Sequence, residues 1–168
     1  MPLAAPRSLP RILLLLGRIA LGAIFVYAAW TKMHPPVAIS LSLFALQVDS
    51  YRMLPPWAVN VVAHTLPFLE LALGALLMIG WPLRIVSSVT SLLLLAFFGT
   101  MVRSYALGLE INCGCFGPNE KLGAATLLRD GALLALALGV TIGAFWIARA
   151  GRRAEDGGLK PAAMRSHS

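Results

Sequence analysis

The residues best suited to chemistry are Cys113 and Cys115, the chain's 2 cysteines, separated by one glycine in the run "EINCGCFG". A Cys-x-Cys disulfide closes a very small ring, and Gly114 is the residue whose backbone bends most freely to bring two sulfurs within bonding distance. Such a bond gains little as a staple, because the stabilisation grows with the length of the loop it closes. Strain instead makes it exchangeable, the property of catalytic disulfides rather than structural ones. The pattern therefore points to thiol–disulfide exchange. Two other readings of the same residues stay open. One is a turn in which the cysteines only shape the loop or pack as small apolar groups. The other is a thiophilic ion such as Cu(I), held together with His34 or His64. No second cysteine pair completes a zinc pattern, and no metal site is assigned.

Two charges form a second constellation, because each interrupts an apolar run where a charge is costly and faces a partner or a water-filled cavity. They are Arg18 and Glu70. Counted from the ends of their runs they lie at similar depth in neighbouring segments, so a salt bridge between them is expected to join the two helices. Binding a quinone headgroup or relaying a proton is the functional alternative for the same pair. Pro67, one turn before Glu70, frees a backbone carbonyl and can open a polar notch there. His64 reads as a helix residue hydrogen-bonded to its own backbone. Gly139 and Gly143 form a GxxxG that permits close helix contact within the chain.

These residues need elements to hold them, and composition says which kind. Of 168 residues, 58% are hydrophobic and 12% charged, against roughly 45–50% and about 25% in ordinary globular chains. So little charge cannot cover a water-exposed surface of this size, which excludes a soluble domain and, equally, disordered and disulfide-rich secreted classes. Four runs approach the ~20 residues needed to cross a bilayer: 12–30, 57–81, 85–102 and 131–148. The first is longer than a signal-peptide core, is split by Arg18 and is followed by three more, so it is expected to be retained. Between the first two runs, "PVAISLSLFALQ" is too short to span but places Leu41, Phe44 and Val48 on one helical face, an interfacial helix. Residues 104–128 carry the cysteines in a stretch too rich in Gly and Pro for a continuous helix. Residues 80–84 make a tight hairpin.

The expected architecture is thus an all-α membrane protein, a four-transmembrane-helix bundle with an outer interfacial helix. Residues 1–11 form an N-terminus, 12–148 the membrane domain, and 149–168 a basic, mobile tail. Lys and Arg set its orientation. With the N-terminus inside, Arg7, Arg11, Arg84, Arg149, Arg152, Arg153, Lys160 and Arg165 lie on the cytoplasmic side, opposed only by Glu155 and Asp156. Lys32, Arg52, Arg103, Lys121 and Arg129 then lie outside, nearly balanced by Asp49, Glu110, Glu120 and Asp130. The positive-inside rule favours both termini in the cytoplasm and the cysteines outside. The formal +7 is therefore a topology signal, and nucleic acid is not expected as a partner. Trp30, Trp57, Trp81, Trp146, Tyr27 and Tyr105 near the run ends form an interfacial belt.

Taken in order, "GRIALGAIFVYAAWTK", "FALQVDSYRMLP", "LPFLELALGALLMIG", "CGCFG" and "LLRDGALLALAL" resemble the MauE branch of the DoxX-like membrane proteins, the methylamine-utilisation family, over roughly residues 11–148. The resemblance implies a bacterial inner-membrane protein that helps a thioredoxin-like periplasmic protein mature a disulfide-rich client, the small subunit of methylamine dehydrogenase. It implies Cys113 and Cys115 as the redox pair and Arg18, Lys32, Glu70 and Arg129 as supporting polar positions. Quinone is the one cofactor class this reading brings, with no binding residues assigned. A non-catalytic assembly factor, a quinone oxidoreductase subunit and a small metal-handling protein are the alternatives. The basic tail departs from the family pattern.

Overall fold

The computed structural model describes residues 9–109, 111–113 and 121–158. Among them are five helices: α1 (Leu9–Lys32), α2 (Val37–Ser50), α3 (Pro56–Ile79), α4 (Leu83–Ala106) and α5 (Ala124–Gly158). At 1.5 Å per residue, a 24-residue helix such as α1, α3 or α4 reaches about 36 Å, more than the ~30 Å hydrocarbon core. These three and the Ala124–Ala150 part of α5 are long and apolar enough to span, whereas α2 is not. The chain is a multi-pass all-α membrane protein.

Proline and glycine punctuate it. Pro36, Pro55 and Pro82 stand at the N-caps of α2, α3 and α4 with no side-chain cap, and Pro56 opens α3. Proline suits these positions because its missing N–H would have had no partner there. Gly80 ends α3 at a φ of 86° with its N–H bonded to the Leu76 carbonyl, and three residues later α4 begins, the expected hairpin. Two boundaries differ from the sequence expectation. Helix α5 starts at Ala124, so residues 124–128 of the expected connection are already helical, and Arg129 and Asp130 lie inside the helix. It also continues to Gly158, so residues 149–158 of the expected mobile tail are helical. Residues 159–168 lie outside the described residues.

The spans associate as two close pairs, α1 with α3 and α4 with α5, with a further contact of α1 on α5 and far less between α3 and α4. Helices α1 and α3 touch backbone to backbone: a Cβ added at Gly22 would stand 2.8 Å from the Gly74 carbonyl oxygen, and one at Gly74 would stand 2.8 Å from that of Gly22. Without a hydrophobic force between helices in lipid, such close approach is what holds them. Leu21, Phe25, Leu73, Leu77, Val86 and Ala137 pack around this crossing. Helices α4 and α5 share a polar seam in which the Ser91 and Thr141 hydroxyls lie 2.9 Å apart. The GxxxG in α5 acts within the chain through Gly143, which faces Leu14, while Gly139 meets nothing within 4 Å.

Helix α2 lies on α3. As its spacing predicts, Leu41 and Phe44 are buried, and Phe44, Ala45 and Val48 pack with Ala63 and Leu66. Ile39, Leu43 and Leu46 are exposed on the other side. Trp30, Trp57, Trp81 and Trp146 are all exposed near the ends of the membrane spans, where amphipathic rings sit at a lipid–water boundary.

Candidate functional site

The inward faces of the spans are legible as stripes at helical spacing, and those of α1, α3 and α5 each include a charge. On α1 the stripe runs Leu21, Phe25, Ala28, Lys32; on α3 it runs Val59, Ala63, Leu66, Glu70, Leu73, Leu77; on α5 it runs Asp130, Leu134, Ala137, Val140, Ala144. Lys32, Glu70 and Asp130 are thus buried because they occupy core positions. The α4 stripe is interrupted instead. Val86, Ser87, Thr90 and Ser91 are buried, as are Met101 and Ser104, but nothing between them is.

That interruption is one wall of a cavity of about 390 Å³ between the two helix pairs. Leu93, Leu94, Phe97, Phe98 and Met101 of α4 face Phe25, Ala28 and Lys32 of α1, Leu66 and Glu70 of α3, and Asp130 of α5. Phe44 and Val48 of α2, then Tyr51, Met53 and Leu54 of the following loop, close it from above, and Cys113 lines it too. Arg52 takes a φ of 50°, a left-handed turn that puts both its neighbours on the cavity wall.

At the centre of the polar wall Lys32 Nζ donates to both carboxylate oxygens of Glu70, at 3.0 and 2.9 Å, and reaches the Ala28 carbonyl at 3.4 Å. The Phe44 ring centroid lies 5.3 Å from the same nitrogen. Both side chains are almost wholly out of solvent, at 6% and 11% exposure, so neither charge could stand there without the other.

The expected Arg18–Glu70 bridge is therefore not formed; Lys32 takes that place. Helical side chains lean toward their own N-terminus, and α1 and α3 run antiparallel, which turns Lys32 and Glu70 toward each other. The same lean turns Arg18 away. Because Gly22 and Gly74 are level, Glu70 stands level with about residue 26, about 12 Å along the axis from Arg18. Arg18 instead fills the space beside Gly80 at the C-terminus of α3, where the helix dipole favours a cation.

The cysteine approaches from a pinned loop. Asn112 and Lys121 form an antiparallel bridge, and the Leu122 N–H donates to the Ile111 carbonyl at 2.8 Å. Just past the bridge Cys113 is buried, and the Tyr51 hydroxyl donates to its carbonyl at 3.1 Å. Cys115 lies outside the described residues. Arg129 pairs with its neighbour Asp130, Nε to Oδ1 3.2 Å, and Asp130 is the buried member.

Of the residues singled out from sequence, Cys113, Lys32 and Glu70 line one cavity, Arg129 stands beside it through Asp130, and Arg18 belongs to the other end of the bundle. His64 bonds the Asn60 carbonyl of its own helix at 2.8 Å, as expected. His34 is exposed and lies with Trp30, ring centroids 6.3 Å apart. Among the described residues no three His, Cys, Asp or Glu side chains gather as metal ligands. Sequence reasoning missed Asp130 and Tyr51 as site residues. Asp130 was findable, since it begins an inward stripe; Tyr51, in a loop, carried no periodic signal.

Four spans in two pairs, enclosing ionisable side chains at one end, define a polytopic membrane protein with an internal site. The chain belongs to the family described as methylamine utilisation protein MauE, which matches residues 10–143. A similar curated protein is the methylamine utilization protein MauE of Paracoccus denitrificans, 33% identical over 130 residues that cover 75% of this chain and 67% of the relative. No solved structure matches.

Proposed function

We propose that this chain serves methylamine utilisation as a redox component of the bacterial inner membrane, exchanging disulfides through Cys113 and Cys115 on the periplasmic side. Both termini then lie in the cytoplasm, as the distribution of Lys and Arg favours. The partner is a thioredoxin-like periplasmic protein, and through it a disulfide-rich client. In each exchange a thiolate attacks a sulfur of the partner's disulfide and forms a mixed disulfide. The second thiolate then attacks the first cysteine and releases the partner as a dithiol, moving two electrons. The reverse sequence oxidises the partner.

The observation that carries this reading is the position of Cys113, buried in the wall of a cavity that also holds Lys32 and Glu70. A cysteine that only shaped a surface turn would need no such surroundings. Because Cys113 is shielded, Cys115 is assigned the contact with the partner and Cys113 the resolving role. Cys113→Ser should then accumulate a mixed disulfide between Cys115 and a periplasmic protein, visible as a reducible higher band on a gel. Cys115→Ser should accumulate much less. If neither variant traps a partner and the double variant still supports growth on methylamine, the exchange reading is wrong and the chain acts as a non-catalytic assembly factor.

A further inference from the structure

The cavity between the helix pairs has walls that restrict what can enter it. Its 390 Å³ fall within the ~300–1,000 Å³ range of small-molecule sites. Phe25, Phe44, Phe97 and Phe98 supply aromatic surface around it, and Leu66, Leu93, Leu94 and Met101 supply the rest of the apolar wall. Its central charges, Lys32 and Glu70, neutralise each other at 2.9 Å, and Asp130, the third charged residue on the wall, is paired with Arg129 at 3.2 Å, so no unpaired cation among the described residues stands there to attract a phosphate or a carboxylate. The occupant is therefore neutral, largely apolar and suited to stacking on rings.

The rim indicates where it comes from. Met53 and Leu54 line the cavity and are 45% and 42% exposed, and Ala96 on α4 is both lining and exposed. These exposed apolar side chains carry the cavity wall out to the surface of the bundle, and α3 and α4 are the contacting spans that touch least. A molecule dissolved in the bilayer can enter there without crossing a polar surface. Cys113 completes the wall, which brings the occupant beside one of the two cysteines.

From these features we infer that the cavity binds the ring of a lipid-soluble quinone, which serves as the two-electron partner of the cysteine pair. The inference rests on the exchange reading above for its chemistry, but its geometry stands on the cavity alone. The step balances. The Cys113 and Cys115 thiols lose two electrons and two protons and form one S–S bond; the two carbonyl oxygens of the ring take up both electrons and both protons and become hydroxyls. The disulfide then oxidises a partner dithiol, and the hydroquinone leaves to the membrane. Lys32 and Glu70 are positioned to pass a proton to a ring oxygen.

The test uses the full chain, reduced and placed in quinone-free phosphatidylcholine nanodiscs, with decylubiquinone as the probe. Expected are loss of both thiols to a maleimide label and, in step with it, the absorbance change of quinone reduction. A photoreactive ubiquinone analogue should label the α4 peptide containing Phe97 and Phe98, and excess decylubiquinone should suppress that labelling. Ala96→Trp, which fills the rim, should slow quinone reduction about tenfold or more. Oxidised glutathione, added to the wild-type chain without quinone, reads the exchange chemistry separately. If glutathione oxidises the thiols while decylubiquinone neither oxidises them nor competes for labelling, the quinone site is overturned and the exchange reading stands. If labelling is competed but the thiols react with neither oxidant, the cavity assignment stands and the exchange reading falls.

Discussion

The two ends of this bundle use the same helices in opposite ways. Toward the Gly80 hairpin, α1 and α3 meet at Gly22 and Gly74, with Leu21, Leu73, Leu77 and Val86 filling the space around them. Toward Cys113 the pairs part, the buried stripe of α4 lapses between Ser91 and Met101, and α2 roofs the gap. Charges follow the same division. Arg18 sits at a helix C-terminus where its burial is partial, whereas Lys32, Glu70 and Asp130 occupy core positions around an open volume. The hairpin end thus holds the fold together, and the cysteine end keeps space and charge that a tightly packed bundle would have eliminated.

Removing one partner of the buried pair should have the largest effect. Glu70→Leu leaves the Lys32 ammonium alone in an apolar wall and should cost about 3–5 kcal/mol, whereas Lys32→Met combined with Glu70→Leu should recover most of that loss. Thermal unfolding of the detergent-solubilised variants measures both, and a double variant no more stable than Glu70→Leu would mean the pair is not the unit described. Next is the crossing at the packed end. Gly74→Ala puts a methyl group against the Gly22 carbonyl and should cost about 1–3 kcal/mol. Gly139→Ala, facing open space, should cost nothing measurable on the same assay.

Smaller effects sharpen the division. Tyr51→Phe removes one hydrogen bond to the Cys113 carbonyl, about 0.5–1.5 kcal/mol, and should speed maleimide labelling of the reduced Cys113 by loosening its backbone. Unchanged labelling would show that Tyr51 does not hold the cysteine in place. The smallest expected quantity is the coupling of Arg18 to Glu70, within about 0.5 kcal/mol of zero in a double-mutant cycle because the two sites are far apart.

That last number tests the point at which sequence reasoning went astray. The spans, the hairpin, the short α2 and its buried face were all readable, since hydropathy and helical spacing act locally and lipid demands continuous helices. By hydropathy Lys32 was only a flanking charge, although the family resemblance had marked it as a supporting position, and depth counted from helix ends pointed to Arg18. Depth between two helices depends on where they cross, which Gly22 and Gly74 set, and on the lean of side chains along antiparallel axes. Neither is visible in one chain's periodicity. The cavity was hidden for a similar reason: residues 92–99 of α4 are uniformly apolar, and an interrupted contact leaves no mark in composition. The α5 boundaries failed differently, because an uncharged run marks the hydrocarbon core and not the helix, which extends past it at both ends.

The central claim is that the cysteine end works as an exchangeable redox pair. The most direct measurement is the oxidation state of Cys113 and Cys115 in intact cells, quenched with acid and alkylated before and after reduction, with the proposed thioredoxin-like partner present and deleted. The account predicts that the pair resists alkylation until reduced, and that the oxidised fraction shifts when the partner is absent. Full alkylation of both thiols without reduction, unchanged by the partner's deletion, would contradict it.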